Sequence, residues 1–436
     1  MQSKFSDVMG VVHMAETEME HSPAWKRFAK KITTNHTRDV IKKLGFQAYE
    51  ILHPRRSTLN LSNKKHGINL IGHIRGDFGL GESCRLVASA MKVSGIPFSI
   101  YNLPLNGPAR ETNTAWAATE TVGLPYGINL IHLNPNEIAN AVWRLDRRAL
   151  HDRYNIAYWL WELPEFPPEW DYTFSLFDEI WTPSEFVSDA IRRRTKKPVL
   201  TMPYAIAVPQ TEKKYSRSYF GLPGDVFLYM LSYDGNSVSE RKNPLGGVRA
   251  YCKAFSPDDR GVGLVIKATH AKDDDVKKMK ALLNGYPNIF WLTDSYSKAK
   301  FNSLIRTVDV YVSLHRAEGF GLVMAESMLL GTAVIATDWS ANTEFMDAAT
   351  ACMVHADVVA LRQDYPPYHA GDHWAQPDES EAAEYMRKLY KDITFRESLV
   401  KNAEKHITEL LSAEKAAEQI KQRVDTLYSP PPIERV

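Results

Sequence analysis

The segment from Val310 to Phe345, VYVSLHRAEGFGLVMAESMLLGTAVIATDWSANTEF, constrains the fold more than any other stretch. Val310-Tyr311-Val312-Ser313-Leu314 is a β-branched, aromatic run of the length of a buried strand. The loop His315 to Gly321 contains Gly319 and Gly321. A helical pattern runs from Leu322 to Leu330 and stops at Gly331, a residue suited to a helix C-cap. A second apolar strand covers Ala333 to Ala336. Strand, glycine loop, helix and strand form the repeating unit of a parallel α/β sheet. Neither Gly319 nor Gly321 carries a Cβ, so the backbone there can approach a ligand closely. The helix start at Gly321 or Leu322 aims unpaired N–H groups and a positive dipole end at the loop, which favours a phosphate. Glu318 precedes the helix and Glu326 lies one turn into it. A carboxylate repels a phosphate, so both glutamates suit uncharged groups such as sugar hydroxyls.

Glu318-Gly319-Phe320-Gly321-Leu322 followed by Ala325-Glu326 resembles the E-x7-E signature of retaining glycosyltransferases of the GT-B fold, close to family 4. Ser313-Leu314-His315-Arg316 and Ala336-Thr337-Asp338 match the same group. The resemblance implies that Glu318 faces the donor sugar hydroxyls and Glu326 holds the nucleotide ribose. The loop Gly319, Phe320, Gly321 and Leu322 would then hold the diphosphate through backbone N–H groups. An ordinary βα turn with solvent-facing glutamates is the plain alternative.

A chain of 436 residues is long enough for two or three domains. Its 53 basic and 52 acidic residues nearly cancel, so no global attraction to nucleic acid is implied. Cys84, Cys252 and Cys352 are odd in number and far apart, which argues against a disulfide framework and a zinc site. No metal or cofactor is expected, and a reducing, cytoplasmic setting is the simpler reading. No apolar run reaches transmembrane length, and the N-terminus lacks the apolar core of a signal peptide.

Residues 1–66 read as a basic helical extension. Ser22 suits an N-cap and Pro23 the first helical position. Lys26, Arg27, Lys30, Lys31, Arg38, Lys42 and Lys43 mix with Phe28, Ile32, Val40, Ile41 and Leu44. Such a helix suits peripheral contact with the inner face of an anionic membrane, or a solvated helix packed by its apolar side. Residues 67–210 read as an N-terminal, acceptor-side domain. The strand Gly67–Ile74 runs into a loop with Gly79 and Gly81, then a helix from Ser83 to Val93. In GT-B enzymes such a loop faces the donor diphosphate, so Gly79 and Gly81 are candidates for close approach. His132 ends the strand Ile128–Leu133, where open α/β sheets bind ligands. The resemblance suggests a role for His132 at the donor sugar or acceptor; a satisfied buried histidine is the alternative. Tyr158 to Pro167 is dense in aromatics and carboxylates, a surface suited to carbohydrate, with Trp159 expected inside and Glu162 near the cleft.

Met202–Arg217 breaks both periodicities and reads as the linker. Residues 211–412 read as a C-terminal donor domain, and 413–436 as a helix crossing back to the first domain. Asp364–Pro377 reads as a loop, a candidate flap. Family members carry a spaced arginine and lysine on the diphosphate; Lys242 resembles the lysine, while the spaced arginine is missing and Arg241 is adjacent. The fold expected is α/β, two Rossmann-like domains facing across a cleft. The activity implied is retaining transfer from a nucleotide diphosphate sugar, UDP or GDP or another, to a glycan or lipid-linked acceptor, in surface polysaccharide assembly. An epimerase, a phosphorylase-like enzyme and a non-catalytic carbohydrate-binding protein of the same fold are the alternatives.

Overall fold

The computed structural model describes residues 35–55, 58–105, 111–145, 149–207, 210–429 and 433–434. Ser22, Pro23 and the basic residues Lys26 to Lys31 lie outside the described residues. The short β1 (Thr58–Leu59) pairs antiparallel with β16 (Ile433–Glu434). Apolar runs buried on both faces then build two parallel sheets. In the first, β2 (Ile68–Gly72), β3 (Phe98–Asn102), β4 (Ile128–His132), β5 (Tyr154–Tyr158), β6 (Glu179–Thr182) and β7 (Val199–Thr201) lie in the order β3-β2-β4-β5-β6-β7. In the second, β8 (Phe227–Asp234), β9 (Val262–Thr269), β10 (Ile289–Leu292), β11 (Val310–Ser313), β12 (Ala333–Thr337) and β13 (Cys352–Val354) lie in the order β10-β9-β8-β11-β12-β13. These are the two Rossmann-like domains expected. The strand order reverses between β2 and β4, and between β8 and β11; at such points a crevice opens beyond the carboxyl ends of the strands.

Buried polar groups set the register of the first sheet. Asn69, Asn129 and Asn155 lie side by side on β2, β4 and β5. Asn69 donates to Asn129 at 2.9 Å, and Asn129 donates to Asn155 at 2.9 Å. A slip of one residue would leave these amides unpaired inside the sheet.

The helix Ala413–Tyr428 packs on the helix Gly79–Ser94 of the first domain. Its Arg423 holds Glu179, which is fully buried at the start of β6. Glu179 also accepts from Tyr154 at 3.1 Å and from the Trp181 indole at 2.5 Å. The Tyr428 hydroxyl accepts the N–H of Gly127 at 3.1 Å and lies 2.9 Å from Lys65 O. Earlier in the chain, the helix Asn35–Leu52 buries Phe46 and Tyr49 on the first domain and leaves Val40, Leu44 and Ile51 exposed. No described helix is long and apolar enough to cross a membrane.

Asp364–Pro377 is not a free loop. Its end is strand β15 (His373–Pro377), paired antiparallel with β14 (Ala356–Ala360). The resulting arm leaves the second domain and packs on the first, where Leu361, Tyr368 and Trp374 join the core formed by Trp159, Trp161 and Phe166. The aromatic content of this segment is spent on burial.

Removing Arg423 would leave the Glu179 carboxylate buried without its cation. Because the Arg423 side chain is 26% exposed, Arg423→Ala is expected to cost about 3 kcal/mol, the lower end for breaking a buried pair, in equilibrium urea unfolding. A loss well under ~1 kcal/mol would show that Glu179 is satisfied by Tyr154 and Trp181 alone.

Candidate active site

The switch point of the second sheet brings two loops together. After β8 the chain makes a single helical turn, Ser239–Lys242, that ends at Asn243 with φ 50°. Asparagine tolerates that conformation better than most residues. Its side chain donates to Leu314 O at 2.8 Å and accepts from Gly246 at 3.2 Å, so it ties this loop to the end of β11 and caps the next helix. The Arg316 N–H donates to Arg241 O at 2.7 Å. The consequence is an ion pair between Lys242 and Glu318. Arg241 donates to Ala317 O at 2.8 Å and lies 3.3 Å from Glu318.

Glu318 is 9% exposed. Burial alone would push its carboxyl up, but Lys242 and Arg241 outweigh burial and hold it down at about 2. It is therefore a carboxylate at every working pH. The backbone of Glu318 is fixed from behind: its N–H donates to Ser340 Oγ at 3.0 Å, and its C=O accepts from Ala341 at 3.3 Å. Gly319 sits against the first domain, where a Cβ would run into the carbonyl of Trp161. Ser184 of that domain donates to Gly319 O at 2.8 Å. Phe320 meets Tyr204 edge-on with centroids 4.7 Å apart. Gly321, with φ 97°, turns the chain into the helix Leu322–Leu329, a conformation that needs glycine. Glu326 lies one turn in, 3% exposed, and accepts from Lys298 at 2.7 Å. Burial raises its carboxyl above the ordinary range even against that lysine.

The remaining expected site residues differ from expectation in burial or in local structure. Arg241 is 5% exposed, enclosed by Glu318, Glu162 and Tyr368, and does not offer its charge to the cleft as Lys242 does. Burial works against its charge, and these three neighbours more than restore it. His132 is completely buried, and burial brings it down to about 3, so it is neutral and too weak a base for proton transfer near neutral pH. Its Nε2 lies 2.7 Å from Ser83 Oγ, which lies 2.6 Å from the Tyr204 hydroxyl. Gly79 and Gly81 are not loop residues, because the helix begins at Gly79 and not at Ser83. At Gly81 a Cβ would strike the Gly76 carbonyl, so that glycine serves the packing of helix on loop. No described group of three or more His, Cys, Asp or Glu is placed to hold a metal ion.

The first domain contributes Glu162. Its carboxylate lies 3.7 Å from Arg241 and accepts from Tyr368 of the arm at 3.0 Å. Two further contacts fasten the arm: His369 to Glu169 at 2.7 Å and His373 to Glu165 at 2.8 Å. Lys298, Ser340 and Tyr368 were not singled out from sequence. Each acts on a partner from a different βα unit or from the other domain, and no local pattern marks them.

Residues 242–364 match the model of a family described as Glycosyl transferases group 1. No curated protein matches the chain. Among solved structures, Alr3699/HepE of Anabaena, in complex with UDP and glucose, is 12% identical, with a TM-score of 0.59 over 83% of this chain and 100% of that one. A glycosyltransferase of Rickettsia africae is 12% identical, with a TM-score of 0.60 over 85% of this chain and 100% of that one. Sucrose-phosphate synthase of Thermosynechococcus elongatus is 14% identical, with a TM-score of 0.59 over 83% of this chain and 99% of that one. The likeness is one of fold: two facing Rossmann-like domains of the GT-B type.

The docking of the arm is expected to depend on pH. The hydrogen bond to Glu169 raises His369 above the ordinary 6.5, with Asp372 and Asp364 adding to it against partial burial. A raised folded-state value means that the pair contributes fully below 6.5 and fades as pH rises through the raised value. Limited proteolysis within residues 361–372 is expected to be faster at about pH 9 than at about pH 6, and His369→Ala to remove most of the difference. Equal rates would show that the buried aromatics alone hold the arm.

Proposed function

We propose that this chain is a glycosyltransferase that moves a sugar from a nucleotide diphosphate sugar to a glycan or lipid-linked acceptor. The observation that carries this reading is the meeting of Lys242 and Glu318 at the switch point of the second sheet, with Glu326 one helical turn away. A crevice that offers a cation, a helix N-terminus and two buried carboxylates suits a donor that is anionic at one end and rich in hydroxyls at the other. The match of residues 242–364 to a glycosyltransferase family supports it. So does the fold shared with a protein crystallised with UDP and glucose.

Breaking the sugar–phosphate bond puts charge on the leaving diphosphate. Lys242 and the first N–H groups of the helix Leu322–Leu329 would meet that charge. Glu326 would hold the ribose and Glu318 the sugar hydroxyls. In our reading the acceptor attacks on the face that the diphosphate leaves, so the configuration is retained and no metal takes part. A surface polysaccharide is the setting we favour. A lipid-linked acceptor would bring the chain to a membrane surface; exposed Val40, Leu44 and Ile51, with Lys42 and Lys43 on the same helix, are suited to that contact.

Thermal shift with UDP, GDP, ADP and CDP, each with magnesium and with EDTA, tests the reading. A nucleotide at a hundred times its Kd should stabilise the fold by about 2.7 kcal/mol. One clear winner, indifferent to EDTA, is the expected result; no response to any of the four would count against a donor site. Product analysis without acceptor separates transfer from epimerisation, since an epimerase converts donor alone.

The two glutamates should part company on substitution. Glu326→Ala is expected to weaken nucleotide binding. Glu318→Gln frees Lys242 from its carboxylate, so it should bind the nucleoside diphosphate roughly tenfold more tightly while losing turnover. Glu162→Gln, which leaves the Lys242 pair intact, serves as the control for a general charge effect. If Glu318→Gln and wild type bind the nucleotide equally, the carboxylate and the diphosphate do not share Lys242.

A further inference from the structure

Ser340 holds a backbone conformation that serine rarely adopts, φ 75° and ψ −160°. That region is populated almost solely by glycine, and a residue with a Cβ persists there when its surroundings over-determine it. Its contacts show what holds it. The hydroxyl accepts the N–H of Glu318 at 3.0 Å and donates to Asn342 Oδ1 at 3.3 Å. Asn342 is itself fully buried, with His315 Nε2 at 2.9 Å and its own amide donating to Thr337 O at 2.9 Å. The next residue, Ala341, donates its N–H to the Glu318 carbonyl at 3.3 Å. Two consecutive residues of one turn therefore grip both polar groups of the Glu318 backbone. A glycine at this place would relax the turn but would have no hydroxyl for the Glu318 N–H.

We propose that Ser340 is a positioning residue for Glu318. Its hydroxyl, brought within reach only by the left-handed backbone, fixes the Glu318 peptide and so the direction in which the carboxylate leaves the chain. Glu318 has three side-chain torsions, and a small turn of its peptide is amplified at the carboxylate. Displacements of that size are costly where a carboxylate must meet a reacting sugar. The proposal rests on the reading of Glu318 as the group that meets the donor sugar. It adds that strain in the turn after β12 is kept for the sake of that one hydrogen bond.

Two variants separate positioning from simple structural support. Ser340→Gly removes hydroxyl and strain together; Ser340→Ala removes the hydroxyl and leaves the strain. The melting temperature is expected to fall for Ser340→Ala and to stay level or rise for Ser340→Gly. Release of nucleoside diphosphate from UDP-glucose, GDP-glucose and ADP-glucose should nevertheless slow in both, by about tenfold or more in kcat. The Kd of the free nucleoside diphosphate should not rise, and should tighten by no more than the roughly tenfold expected of Glu318→Gln, because Lys242 and Glu326 are retained and only the hold of Glu318 on Lys242 is loosened. Amide hydrogen exchange at Glu318 should accelerate in both variants, a readout that does not depend on turnover. Full turnover in Ser340→Gly would overturn the proposal, as would activity that merely follows the melting temperature. If wild type releases nucleotide from none of the three sugars, it is the glycosyltransferase reading that fails.

Discussion

A buried guanidinium cannot stand alone, and Arg241 obliges much of this molecule to close around it. Its charge is offset by Glu318 from its own domain and by Glu162 from the other. Removing a buried ion's partner is far more costly than the pair is worth, so the arrangement behaves as a unit. Tyr368, at the tip of the arm, completes it by donating to Glu162. The cluster requires that the loops after β8 and β11, the loop after β5 and the arm all be in place at once. The two domains are thus linked through a small set of charges beyond the carboxyl ends of β5, β8 and β11.

Other contacts share that seam. The carboxylate of Glu344 accepts the N–H groups of Glu185 and Phe186 at 2.9 and 2.7 Å, so a residue of the second domain caps a helix of the first. Ser184, the N-cap of that helix, also donates to Gly319 O in the glycine loop. A helix start carries unpaired N–H groups and a partial positive charge, and a carboxylate from across the seam satisfies both. Far from the cleft, Arg423 and Tyr428 anchor the last helix to the first domain. The domains are therefore joined at both ends, and motion between them would have to be shared by the two sets of contacts.

Local patterns explain what the sequence disclosed. The unit Val310–Phe345 was legible because strand, glycine turn and helix each leave a short-range trace, and the structure places strand, turn and helix within a residue or so of the reading. His132 was placed correctly at the end of a strand, yet its ring faces the interior, stacked on Tyr158 at 4.9 Å. Which side of a fully buried strand a residue faces is not written in its neighbours when both sides are apolar. Gly79 and Gly81 lie in the first turn of a helix and not in the loop before it, a difference of four residues, because a glycine in that turn resembles a loop glycine in sequence. Pairs such as Lys242 with Glu318, 76 residues apart, come from strand order, which no short window contains. The arm was hidden for another reason: its prolines and aromatics suggested a mobile surface, whereas the rings fill a pocket on the other domain.

The missing spaced arginine takes on a physical meaning in this setting. An arginine set several residues before the lysine would present a second cation to a diphosphate. Here the arginine is adjacent to the lysine, and both reach the one carboxylate of Glu318, Arg241 from the buried side and Lys242 from the more open one. Lys242, with a side chain 27% exposed, reaches outward; Arg241, at 6%, is turned into the protein. Arg241 is part of the wall, where it pairs with Glu318 and Glu162. Glu318 then neutralises the cation that remains. Arg241, Lys242, Glu318 and Glu162 sum to no net charge, so an incoming diphosphate finds no excess of positive charge among them. On the reading proposed above, a diphosphate would have to take Lys242 from Glu318, which would leave that carboxylate free to meet the sugar.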